Sequence, residues 1–267
     1  MDNLKRCMQM LTLAAGVSLS GCVSTLPSES NVRDPEVYEQ KNLDIAIGFL
    51  EKGYPERAIA RLNEVLKENK GSFRAYGILG VAYREQGEYP LAEDSFKRSL
   101  DLNPAASDVR NNYGGLLFLT GKYKEAQKQF ERVTEDIYYV NRSRAFENLG
   151  FVALKMNNRD EARTQFERAL RLDQNIPAAS LELAEILLED GNYVESERYF
   201  GHYENLTRRV RPSSRALWLG IQLARIFDQR DKFEQYAELL ARYYPGSKEY
   251  REYKASLRYR RRPGIRG

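Results

Sequence analysis

GVAYREQGEYPLAEDSFKRSLDLNP, residues 80–104, places small residues at Gly80 and Ala92, rings at Tyr83 and Phe96, then Ser99 and Pro104. Thirty-four residues upstream the same places hold Ala46, Phe49, Ala58, Leu62 and Val65. Thirty-four downstream they hold Gly114, Leu117, Ala126, Phe130 and Val133. The spacing then slips by two, and Leu149, Gly150, Ala162, Phe166 and Ala169 restart it. Leu183, Ala184, Ser196 and Phe200 follow, then a longer insertion and a degenerate sixth copy around Leu223, Ala224, Phe227 and Leu240. Each copy reads as two antiparallel helices. The small residues let them approach closely, and the aromatic or aliphatic side chains fill the gap between them. Gly53, Gly87, Gly121 and Gly191 make the turns, because glycine takes the left-handed conformation that ends a helix. Pro55 and Pro90 open second helices, where a missing amide hydrogen is harmless, while Pro104 and Pro177 fall between copies. Alternation of the strand type is absent, so the expected fold is all-α.

This period and residue set resemble the tetratricopeptide repeat. The resemblance implies a right-handed superhelix of about six helix-turn-helix repeats, an architecture that holds other polypeptides and does not make or break bonds.

The N-terminus speaks to location. Lys5 and Arg6 precede an apolar run from Met8 to Leu19, too short for a spanning helix and suited to a cleaved export signal. Leu19-Ser20-Gly21-Cys22 resembles the lipobox of bacterial lipoproteins, in which the cysteine is acylated and becomes the mature N-terminus. The alternative is an ordinary secretory signal that contains a cysteine. Val23 stands after Cys22 where an aspartate would signal retention, and by resemblance to enterobacterial lipoproteins this implies sorting to the outer membrane, on its periplasmic face. The expected organisation is a signal peptide at 1–21, a lipidated tether at 22–36, six repeats over 37–253 and a basic tail at 254–267. The tether is rich in Ser, Pro and polar residues without periodicity.

Composition narrows the chemistry. Cys7 leaves with the signal and Cys22 carries lipid, so the mature chain offers no thiol for a disulfide, a metal or a nucleophile. His202 is the single histidine, which excludes a Cys-His pair and any multi-histidine zinc site. No Gly-x-Ser-x-Gly elbow and no phosphate-cradling glycine loop is present. We therefore expect no catalytic residues, no metal and no cofactor. The formal net charge is +4, but Lys254, Arg258, Arg260, Arg261, Arg262 and Arg266 crowd the last 14 residues without an acid. The body is thus mildly acidic, which argues against nucleic acid. The tail reads as a solvated end or as a contact for anionic headgroups or cell-wall polymer.

For a binding surface, the face of each first helix opposite its partner is the natural groove. In the first repeat that reading selects Leu43, Ile47 and Leu50, with Ile45, Ala46 and Phe49 turned towards the second helix. Val81, Phe118, Phe151 and Leu154 continue the apolar line, with Arg74, Arg84, Asn111 and Glu147 beside it. An apolar groove with polar rims suits an amphipathic helix or an apolar peptide end. The alternative is that residues 37–40 or the tether cover Leu43, Ile47 and Leu50. Tyr83, Tyr89, Tyr113, Tyr123 and Tyr193 fall on packing positions and read mostly as core, whereas Tyr138 and Tyr139 lie in the two-residue insertion beside Asn141 to Arg144.

Several stretches go beyond the general repeat: Asn111 to Gly115, Arg142 to Gly150, Leu219 to Arg225 and Tyr244 to Tyr250. With the lipobox they resemble the PilF/PilW family of type IV pilus biogenesis lipoproteins across the mature chain, apart from the basic tail. That resemblance implies a pilotin, monomeric when free, that binds the type IV pilus secretin subunit, carries it to the outer membrane and promotes its multimerisation. Pilus assembly and twitching motility would depend on it. It is held to outer-membrane lipid through acylated Cys22. The alternative is a general repeat adaptor lipoprotein that recruits cell-wall hydrolases.

Overall fold

The computed structural model describes residues 34–260, so Cys22, the signal, most of the tether and the end of the basic tail lie outside the described residues. Among the described residues there are helices and no strand. Six antiparallel pairs succeed one another: α1 (Pro35–Glu51) with α2 (Pro55–Glu68), α3 (Phe73–Gln86) with α4 (Tyr89–Leu102), and α5 (Ser107–Leu119) with α6 (Tyr123–Glu135). Then come α7 (Arg142–Lys155) with α8 (Arg159–Leu172), α9 (Pro177–Glu189) with α10 (Tyr193–Leu206), and α11 (Ser214–Ile226) with α12 (Arg230–Tyr243). An unpaired α13 (Lys248–Arg260) closes the chain. The chain divides into two compact units at Gln40 and Lys41, and the unit from Lys41 onward carries the array. That unit has the superhelical tetratricopeptide fold, with each pair packed on the next.

Local chemistry sets the helix ends. Ser72, Asn158 and Ser213 cap α3, α8 and α11 by accepting from the amides of Ala75, Glu161 and Ala216. Pro55 and Pro177 are the first residues of α2 and α9. The turn inside each pair needs one left-handed residue. Gly53, Gly87, Gly121 and Gly191 supply it with φ of 74 to 80°, while Asn157 (φ 57°) and Asp228 (φ 53°) serve in the fourth and sixth pairs. Asn and Asp are the side chains that tolerate this region best.

The core is built on one repeated contact. A Cβ added to Gly80 would lie 2.7 Å from the Phe96 ring, one on Gly114 2.7 Å from Phe130, and one on Gly150 2.5 Å from Phe166. The rings are fully buried and sit directly on the facing helix backbone. Gly220 makes the same contact with Tyr236, 2.9 Å away, and with Phe200 at 3.0 Å. This corrects the register of the sixth copy. The close approach is at Gly220 and Tyr236, one helical turn before the expected Ala224 and Leu240. Those two are buried as well, since α11 is apolar on most sides and offers two candidate faces.

The helical run extends past residue 253 into α13, whose Tyr250 and Tyr253 pack with Phe233 of α12 against the last core cluster. A solenoid exposes an apolar face at its last pair, and α13 covers that face. Of the tyrosines expected in the core, Tyr113 is buried and Tyr83 and Tyr123 half-buried. Tyr89 and Tyr193 are exposed, standing at the first position of α4 and α10 where the chain still faces solvent.

Candidate partner-binding surface

First helices α3, α5 and α7 touch in turn, so equivalent positions on them line up across the array. Val81 and Phe151 follow the contact glycines Gly80 and Gly150 by one residue. Phe118 and Leu154 follow Gly114 and Gly150 by four. All four are half-buried and pack against the central core cluster. Phe151 and Phe166 meet in a T-shaped contact at 5.2 Å between ring centres, and Phe118 lies 5.5 Å from Tyr123. Each therefore anchors one side in the core and leaves the other for contact.

The first repeat departs from expectation. Leu43 is 1 % exposed and belongs to a core cluster with Ala46, Ala58, Leu62 and Val65. It is core and cannot line a groove. The physical reason is helical spacing: Leu43 precedes Ala46 by three residues and so shares its face. Leu50 is half-buried against the same cluster. Of the three, Ile47 is the most exposed, at 41 %. The apolar line accessible to a partner thus runs through Ile47, Leu50, Val81, Phe118, Phe151 and Leu154.

Polar groups border this line. Asn148 donates to Asn111 at 3.3 Å and ties the fourth repeat to the third, while Arg144 pairs with the buried Glu147 within α7 at 2.9 Å. Glu93 of α4 receives Lys122 at 2.7 Å and Lys97 at 2.8 Å. Those two ammonium groups, Lys122 foremost, hold its carboxyl down to about 2. Tyr113 also donates to Glu93; burial first, then this carboxylate, pushes the phenol well above its ordinary range.

Sequence reasoning missed the cluster that ends the line. Glu185 occupies in α9 the position that Val81 and Phe151 hold in α3 and α7. Arg215 binds the buried Glu182 through both nitrogens, each at 2.6 Å, and also reaches Glu185. The bond to Glu182 holds Arg215 above its usual range, while burial raises Glu185 despite the nearby guanidinium. The legible signal was Glu182 and Glu185, three apart and ahead of the terminal Glu189, in the largely apolar PAASLELAEILLE. Nothing in the spacing named Arg215 as their partner. His202 is a junction residue: its Nε2 lies 2.7 Å from the Gln174 carbonyl. Among the described residues no three His, Cys, Asp or Glu side chains group to hold a metal ion, and no helix is long and apolar enough to cross a membrane.

Comparison with known proteins agrees with this geometry. The tetratricopeptide-repeat family matches residues 43–107 and 148–205, and a second description of the same repeat matches 105–175. The type IV pilus assembly protein PilF of Pseudomonas aeruginosa is 34 % identical over 247 residues, covering 92 % of this chain and 97 % of that protein. A solved structure of Pseudomonas aeruginosa PilF superposes with a TM-score of 0.81 at 33 % identity, over 83 % of this chain and 99 % of that one. PilW, described as a widely conserved type IV pilus biogenesis factor, superposes with a TM-score of 0.68 at 22 % identity, over 81 % and 98 %. The last likeness speaks to fold alone.

Proposed function

Because the chain belongs to the PilF/PilW family of tetratricopeptide-repeat proteins of type IV pilus biogenesis, we propose that it works there as a pilotin. In this reading it is a non-catalytic scaffold. Acylated Cys22 anchors it to the outer membrane on the periplasmic side, and its repeats bind the pilus secretin subunit, escort it to that membrane and promote its multimerisation. The observation that carries the reading is the half-exposed apolar line of Val81, Phe118, Phe151 and Leu154, bordered by the Asn148–Asn111 bond between repeats and the Arg144–Glu147 pair. Such a surface suits an amphipathic segment. A pore subunit crossing the periplasm exposes apolar surface and strand edges, and a scaffold that covers them prevents aggregation.

The experiment is affinity capture of the mature protein from solubilised envelopes. Recovery of a secretin is expected. Recovery of cell-wall hydrolases without a secretin would replace the pilotin reading with that of a general adaptor. Changing Cys22→Ala is expected to leave helicity intact, release the protein from membranes and strand the secretin away from the outer membrane. A Cys22→Ala protein still membrane-bound after a high-salt wash would overturn the lipid anchor.

A further inference from the structure

The segments joining one pair to the next gather along one edge of the array, and side-chain contacts show that they adjoin. Ser107 donates to Asp136 at 2.6 Å, tying the junction after α4 to the loop after α6. That loop forms an open cleft with Leu172 and Asp173 of the junction after α8. His202 of α10 reaches Gln174 in the same junction. Arg211, after α10, lies 4.5 Å over the Tyr243 ring, and Tyr244 donates to the Pro212 carbonyl at 2.8 Å.

This edge has an unusual composition at its crests. Val140 is 92 % exposed, Tyr138 88 % and Val210 64 %, with Ile137 and Leu172 also exposed. Between them stand the exposed Arg171, Arg208, Arg209 and Arg211. The positive line continues into α13 through Lys248, Arg251 and Lys254, all exposed. The opposite edge, where the turns within pairs lie, also shows apolar side chains but mixes its charges: Glu56, Glu85, Glu88, Glu189, Asp190 and Asp228 stand among Lys52, Lys122, Lys124, Lys155 and Arg230, whereas the exposed acids of the junction edge, Asp101, Asp108 and Glu135, lie away from the Arg208 to Arg211 run.

We infer that the junction edge lies on an anionic phospholipid surface. Tyr138, Val140 and Val210 enter the boundary between headgroups and acyl chains, and Arg171, Arg208, Arg209 and Arg211 meet the phosphates. Exposed apolar crests flanked by arginines match an interface that is apolar at one depth and anionic just above it. They do not form the closed hollow that a protein side chain fills. Charge favours this edge for the bilayer, since the run Arg208, Arg209 and Arg211 around Val210 has no counterpart on the opposite edge, where acids and bases alternate. Such a contact orients the array without using the apolar line on the first helices. It requires no secretin, so it stands or falls separately from the pilotin reading.

The test uses the full protein purified from membranes and reconstituted into vesicles of phosphatidylcholine alone, or of phosphatidylcholine and phosphatidylglycerol in equal parts. Tryptic cleavage after Arg208 and Arg209 is followed relative to cleavage after Lys122 and Lys124 near the opposite edge. Relative cleavage at the arginines is expected to fall by about tenfold with phosphatidylglycerol and to recover in high salt, which screens the attraction. The double change Tyr138→Asp and Val140→Asp is expected to abolish the protection with no loss of helicity. Equal relative cleavage in both vesicles would overturn the inference, as would protection that survives this double change. Protection appearing only when purified secretin is added would assign the edge to a protein and also overturn it.

Discussion

Gly150 and Phe151 are neighbours in the chain with opposite tolerances. Gly150 stands where any side chain would strike the Phe166 ring, and its backbone is the wall of the core. Phe151, one residue on and about 100° round the helix, meets the same ring in a T-shaped contact and stays half-exposed. The same contrast recurs between Gly80 and Val81. Stability in this molecule is concentrated in a seam one residue wide, and recognition can be written on the position beside it. A repeat array permits this because each pair meets only its neighbours, so one face can vary without disturbing the seam.

The contrast breaks most severely if charge enters the seam. Gly80→Glu would bury a carboxylate against Phe96 with no partner, and Leu43→Glu would do the same in the first repeat. Both are expected to unfold their repeats, read as a large loss of helical circular dichroism at 25 °C. Emptying the seam comes next. Phe166→Ala removes a fully buried ring and is expected to cost about 3–5 kcal/mol in denaturant unfolding. Gly150→Ala overfills the same contact and is expected to cost about 1–3 kcal/mol, with Phe166 forced to shift. An equal loss from Ile47→Glu would erase the distinction between seam and surface. That substitution is expected to stay within about 0.5 kcal/mol of the parent while weakening secretin capture.

The smallest effect concerns pH. The carboxyl of Glu93 is held down to about 2 by Lys122 and Lys97, so its contribution is fully present above its ordinary value of 4.5. It is lost as pH falls from there towards about 2. Glu93→Gln is expected to cost less than about 1 kcal/mol at neutral pH and to flatten the acid limb of the stability profile between those values. An unchanged limb would show that this bridge between the second and third repeats adds nothing to their coupling.

The six pairs, the four glycine turns and the ring at the centre of the second to fifth copies were legible because they are local. A 34-residue period repeats them, and the same small-to-large contact satisfies each pair. Asn157 and Asp228 escaped notice as turn residues because a side chain at a left-handed position is a minority solution.

What the sequence by itself determined is therefore the kind of protein: paired helices in series, a surface for a polypeptide, and, by resemblance, a place in type IV pilus biogenesis. Tertiary structure alone decided which way the apolar helices turn. Leu43 looked outward and is core, and the sixth close contact falls at Gly220 and Tyr236 instead of one turn later. A helix that is apolar on most sides has no single face that its 3.6-residue period can assign, so its rotation is set by the helices packed around it. The joining of Arg215 to Glu182 and the gathering of Val140, Leu172 and Val210 along one edge have the same origin. Each brings together residues about one repeat apart or more, and only the stacking of one pair on the next fixes where they meet.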